Sequence, residues 1–181
     1  MSNLRSQNLN LAPLFLRDVE DLARLAKEKT GTHAENLFAR AAVVFAVIAL
    51  DHFIDLYLER ISPETMKAKV RKQIEGFRRE RKVGSLVAAK WFAVSDYYTP
   101  NRFRLDVPPF SEPKKLVKLR NNLVHIYEKQ LRSRRHTGEP LLLREMTCKT
   151  ADEACTTAKN MIRTFYQMAY KSPPDWIDPT L

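Results

Sequence analysis

Residues 32–61 read THAENLFARAAVVFAVIALDHFIDLYLERI. Thr32, with Glu35 three positions on, forms a capping box, in which each side chain satisfies an orphan backbone donor at the other end of the turn. From that cap a helix runs to about Ile61, roughly 40 Å at 1.5 Å per residue. Between Ala41 and Leu50 it is apolar almost all round, so neighbours must cover several of its faces rather than one stripe. Ten apolar residues bracketed by Arg40 and by Asp51, His52 and Asp55 are too few to cross a bilayer. The stretch reads as the long buried second helix of an all-α domain of five to six helices. His52 shares a wheel position with Phe45, Ala49 and Leu56 and reads as a packed core histidine.

Working outward, a first helix spans about Leu11 to Lys29, with Leu14, Val19, Leu22 and Leu25–Ala26 on one stripe and Gly31 ending it. Ser62–Pro63 opens a basic third helix, Glu64 to about Arg81, with Val70, Ile74 and Phe77 inward. Gly84–Ser85 precedes a fourth, Leu86 to Tyr98, whose Trp91, Phe92, Tyr97 and Tyr98 read as core rather than as base-stacking platforms. A Pro-containing loop, Thr99 to Phe110, leads to Ser111 and a fifth helix ending near Arg134. Leu141–Met146 reads as a short strand or extended cover. Thr150 with Glu153 reads as a capping box for a last helix to about Lys171. Residues 1–172 form a single domain, and 173–181 an extended tail.

Composition agrees. The chain has 181 residues, 44% hydrophobic and 29% charged, enough for one well-buried core. With 4 Gly, neither a P-loop nor a dinucleotide fingerprint can be assembled. Cys148 and Cys155 read as reduced thiols, and no Cys or His pairs stand at zinc spacing, so no metal or cofactor is expected. The polar start, Met1 to Asn10, lacks the apolar segment of a signal peptide, which points to the cytoplasm.

The charge is localised. Arg60 to His136 holds 20 Lys and Arg against 7 Asp and Glu, while the rest holds 11 against 14, and the whole chain carries +10. A field confined to the middle attracts polyanions, with nucleic acid the first candidate and an anionic membrane surface the next. Arg78, Arg79, Arg81, Lys82, Lys114, Lys118 and Arg132 are the candidate RNA-backbone contacts. A solvated face that only aids solubility is the other reading.

On the fifth helix, Leu116, Leu119, Leu123, Ile126 and Tyr127 form an apolar arc, and Arg120 falls inside it. A guanidinium there needs a partner to neutralise it. Asp51 and Asp55, four apart on the second helix, are the candidate supporting acids. Asn121 and His125, also four apart, lie beyond the arc, at about 140° and 180° from Leu116. An ion-pair role for Arg120 and a plain surface histidine at His125 stand beside any catalytic role.

The string Leu119-Arg120-Asn121-Asn122-Leu123-Val124-His125 resembles the signature of the HEPN superfamily: Arg, a polar residue directly after it, and His a few positions on. The helix Arg40 to Asp51 is similar to the long apolar helix with a late acid in the RiboL-PSP-HEPN branch, with Asp51 where Glu is usual. The resemblance spans roughly residues 10–170, its specific part about thirty. It implies a HEPN-type helical bundle acting as a metal-independent endoribonuclease at a homodimer interface, with Arg120, Asn121 and His125 catalytic. It also implies a toxin or phage-defence role, an antitoxin or regulatory protein as a possible partner, and no membrane. The alternatives are a non-catalytic HEPN-like module that binds RNA or protein, and a helical adaptor.

Overall fold

In a computed structural model, the capped stretch forms one unbroken helix, α2 (His33–Glu59). Around it stand α1 (Ala12–Glu28), α3 (Glu64–Arg79), α4 (Leu86–Tyr98), α5 (Glu112–Arg132) and α6 (Cys148–Met168). The structure describes residues 10–79, 85–99, 111–132, 146–169 and 171–177, apart from the side chains of 112, 113 and 125–132. Among the described residues there is no strand. The expectation of an all-α bundle of five to six helices, with the second long and buried, is met, with six among the described residues.

α2 packs against all five other helices, most extensively α1 and α6. Its inward residues from Ala42 to Ile54 are 3% exposed or less. By length and composition α2 could cross a membrane, and half of its most apolar stretch is buried inside the bundle. The α1–α2–α6 side is built on small residues. Ala23 and Ala26 of α1, Ala39, Ala42 and Ala46 of α2, and Ala151, Ala154 and Ala158 of α6 are all buried, which lets helix axes approach closely. Lys159 of α6 pairs with Glu20 of α1 at its edge.

The other side is aromatic. Phe53 of α2 stacks on Trp91 of α4 at 5.6 Å and 15°, and meets Phe165 of α6 edge-on at 5.5 Å. The Trp91 indole N–H donates to the Leu50 carbonyl at 3.2 Å. The Tyr98 hydroxyl donates to the Tyr57 carbonyl at 3.0 Å, and burial first of all pushes the phenols of Tyr57 and Tyr98 up. Trp91 and Tyr98 are core residues, as read from sequence. Phe92 packs edge-on against Phe77 of α3 at 4.7 Å.

Termini follow the local chemistry with instructive departures. Gly31, at φ +80°, occupies the left-handed region between α1 and α2, where a side chain would be strained. Ser85 Oγ accepts from the Ala88 N–H and caps α4. His52 is half-buried, and its Nε2 accepts the Leu11 N–H at 3.0 Å just ahead of α1. It is a structural histidine that also meets Phe15 edge-on. The last helix begins a turn earlier than Thr150 suggests. Thr147 is its N-cap, and the Thr147 N–H donates to Thr150 Oγ1. The tail is not simply extended: the Ile177 N–H closes a turn onto the Pro174 carbonyl, and Ile177 is fully buried. An apolar Ile at the end of a polar stretch gains more from the core than from water. The loop from 100 to 110, Arg81, Lys82 and the candidate strand at 141–145 lie outside the described residues.

Glu35 performs only half of its expected capping role. Thr32 Oγ1 accepts the Glu35 N–H, but the carboxylate passes over Thr32. One oxygen accepts the Gly31 N–H at 2.6 Å, the other the Cys148 N–H of α6 at 2.8 Å. One buried carboxylate thus joins the N-terminal ends of two helices, and Asn36 Nδ2 adds a bond to the Met146 carbonyl at 2.7 Å. The bonds from Cys148 and then Gly31 hold the Glu35 carboxyl below its ordinary value of 4.5. A lowered folded pKa contributes stability above the unfolded value, lost as pH falls through the folded one. Glu35→Gln should therefore melt several degrees below the parent at pH 7, and the gap should narrow as the solution is acidified. A gap independent of pH in thermal melts would show that the carboxylate charge is not what joins the helices.

Candidate functional site

α5 carries the residues singled out by sequence, and its inner side explains why. Leu116 and Val117 are buried at 6% and 5% exposure, and Leu119 and Leu123 pack on the core from its margin. Lys114, Lys115, Lys118, Asn122 and Val124 are exposed. Arg120 and Asn121 lie half-buried at the boundary between these faces.

Arg120 has no carboxylate partner among the described residues. Its Nη1 donates to Asn121 Oδ1 at 2.9 Å, while its Nε is buried and makes no hydrogen bond. Asn121 thus holds the guanidinium laterally without neutralising it. A buried N–H left open on a permanent cation is an unsatisfied demand for an acceptor, and an anionic oxygen answers it best. His125 follows Asn121 by four residues on α5, about 6 Å along the axis. Its side chain, like that of Arg132, lies outside the described set.

The acids go elsewhere. Asp51 and Asp55 both receive Lys90 of α4, whose Nζ is 2.7 Å from Asp51 Oδ1 and 2.7 Å from Asp55 Oδ2. Their expected role beside Arg120 is thus corrected: they serve a lysine that sequence reasoning passed over. The reason is packing. Lys90 is the single charge between Leu86 and Ser95, on a helix otherwise turned into the core, and its side chain is 13% exposed. Desolvation pulls its pKa down, but the hydrogen bonds it donates to Asp51 and Asp55, with their charges, outweigh this and hold it above the ordinary 10.5. That contribution persists up to the unfolded value and is lost only as pH rises through the raised one. The signal was available: a lone cation in an apolar helix, and two acids one turn apart.

Both carboxylates are over a third exposed, 38% and 44%, so screening reduces what the cluster contributes. A coupling of about 1 kcal/mol between Lys90 and Asp51 is expected. Asp51→Asn should destabilise the parent more than the Lys90→Ala variant in urea denaturation. Equal losses in both backgrounds would remove the cluster from the account of stability.

The remaining candidates are placed as follows. Arg78 and Arg79 are exposed at the end of α3, with Arg79 3.5 Å from Glu75. A cleft of about 200 Å³ lies between α5 and α6, lined by Lys115, Leu116, Leu119, Glu153 and three small residues. It includes neither Arg120 nor Asn121, and its lining holds one cation and one carboxylate. Among the described residues no three His, Cys, Asp or Glu side chains come together as a ligand set. Cys148 and Cys155 are free thiols, and burial pushes Cys155 up to about 11. Comparison with protein-family models, curated proteins and solved structures found no match.

Proposed function

We propose that the chain is a metal-independent endoribonuclease of the HEPN type, cytoplasmic and homodimeric, acting as a toxin or phage-defence effector. The observation that carries the reading is the state of Arg120. It is half-buried, held by Asn121, paired with no carboxylate among the described residues, and has one buried N–H without an acceptor. An arginine that merely tied α5 to α2 would be expected on Asp51 or Asp55, and Lys90 holds both.

The chemistry follows from the residue types. Arg120 grips phosphate oxygens and stabilises charge developing at phosphorus. His125 takes the proton from a ribose 2′-hydroxyl, whose oxygen attacks the adjacent phosphorus. The His125 of a second copy gives a proton to the departing 5′-oxygen, which is why a two-fold dimer is part of the proposal. The bond to the 5′-oxygen breaks as the bond from the 2′-oxygen forms. The products are a 2′,3′-cyclic phosphate and a 5′-hydroxyl, and DNA, lacking the nucleophile, is spared.

The test is incubation of single-stranded RNA with the protein in excess EDTA, with end-group analysis of the products. Cyclic-phosphate ends from RNA and intact DNA are the expected result. RNA that is retained but uncut leaves a non-catalytic RNA-binding module. RNA that is neither cut nor retained removes both.

A further inference from the structure

We infer that the outward face of α3, with Lys69, Lys72 and Arg79 set around Gly76, is a docking track for the sugar–phosphate backbone of single-stranded RNA. This deepens the ribonuclease reading by naming where the substrate's backbone lies outside the α5 site.

Two independent features point there. The first is a division among the cations of α3. Lys67 is buried against Glu59 and Glu64, and Arg71 pairs with Glu59 at 2.7 Å. Among the described residues Lys69 and Lys72 are exposed and make no ion pair or hydrogen bond, and Arg79 reaches an exposed Glu75 at 3.5 Å. The inner stripe, Val70 and Ile74, is buried. At 100° per residue Lys72 lies opposite that stripe, Arg79 within about 20° of it, Gly76 within about 40° and Lys69 within about 60°. With Arg79 included, these exposed charges form a row about 15 Å long.

The second feature is Gly76 itself. It sits inside a helix, where glycine is unfavourable, yet nothing lies within 4 Å of where a Cβ would stand. No internal contact requires its smallness. What the missing side chain does provide is a notch between Lys72 and Arg79, through which an outside chain can come close to the helix backbone. A row of exposed cations, two of them without an ion-pair partner among the described residues, with such a notch suits a narrow polyanion. A membrane fits less well, because a surface helix needs an outward apolar side to enter lipid. The large exposed hydrophobics among the described residues (Leu14, Leu37, Leu86 and Val124) all lie on other helices.

The experiment measures binding of a fluorescent 2′-O-methyl oligoribonucleotide, which cannot be cut through its 2′-oxygen, by anisotropy over a range of salt concentrations. Vesicles of phosphatidylcholine with phosphatidylserine form a second arm. The parent should bind the oligonucleotide and leave the vesicles. Lys69→Ala with Lys72→Ala should weaken binding at low salt and reduce the slope of log K against log salt by about 1.4, about 0.7 per contact. Lys149→Ala, which removes an exposed lysine from α6, should change neither affinity nor slope beyond the small effect of net charge. Gly76→Ala should melt no lower than the parent and still bind the oligonucleotide several-fold more weakly, a combination that loss of folding cannot produce. Parent-like affinity and slope in both α3 variants would overturn the track while leaving the nuclease reading to its own assay. Vesicle binding without oligonucleotide binding would overturn both.

Discussion

His125→Ala and Arg120→Ala are each expected to lower RNA cleavage in excess EDTA by orders of magnitude while leaving the fold intact. Removing a positioned general acid or base forfeits about 10²–10⁴-fold. Removing a donor aimed at developing charge forfeits about 10²–10³-fold. Arg120→Lys should recover little, since a point charge cannot hold two phosphate oxygens side by side. Arg120 sits on the margin of α5 and ties no other helix among the described residues, so its loss should hardly move the melting temperature. The pH–rate profile should be bell-shaped, as one imidazole must be neutral while its mate is charged. Variants that cut RNA at the parental rate would end the catalytic assignment, and circular dichroism would show whether lost activity is only lost folding.

Phe53→Ala should have the largest effect on stability, about 3–5 kcal/mol in chemical denaturation. Phe53 is fully buried and touches rings from two other helices: Trp91 face to face and Phe165 edge-on. Truncation leaves a cavity lined by large rigid rings that cannot collapse into it. Against a total of about 5–15 kcal/mol for a domain, that leaves a marginal protein. Trp91→Phe should be milder: the ring stays, while the bond to the Leu50 carbonyl, worth about 1 kcal/mol net, is lost. A Phe53→Ala protein as stable as the parent would mean that the three-helix junction is not the centre of the core.

What could be read from sequence was what local chemistry decides. Thr32, Gly31 and Ser85 mark helix ends through bonds or dihedrals within a few residues, and each does so in the structure. The all-round apolar stretch of α2 announced a helix with neighbours on several sides, and Trp91 and Tyr98 were recognisable as core. What could not be read was any choice between distant partners. Thr150–Glu153 has the same pattern as a capping box, yet α6 starts at Cys148 because Glu35, 113 positions earlier, reaches its first N–H. Asp51 and Asp55 had two candidate cations, and which helix lies beside them, α4 rather than α5, decided for Lys90. The wheel set Arg120 on an apolar arc and the side chain is indeed half-buried, but its bond to the adjacent Asn121 is a matter of rotamer that periodicity does not address.

Because α2 touches every other described helix, displacing any one of them bares part of the same central helix. A shared axle of this kind raises the cost of local opening for the helices most closely packed on it, α1 and α6. On the proposed reading, switching such a molecule on or off is expected at its skin: by a second body that sits on α3 or α5, or by the coming together and parting of whole copies.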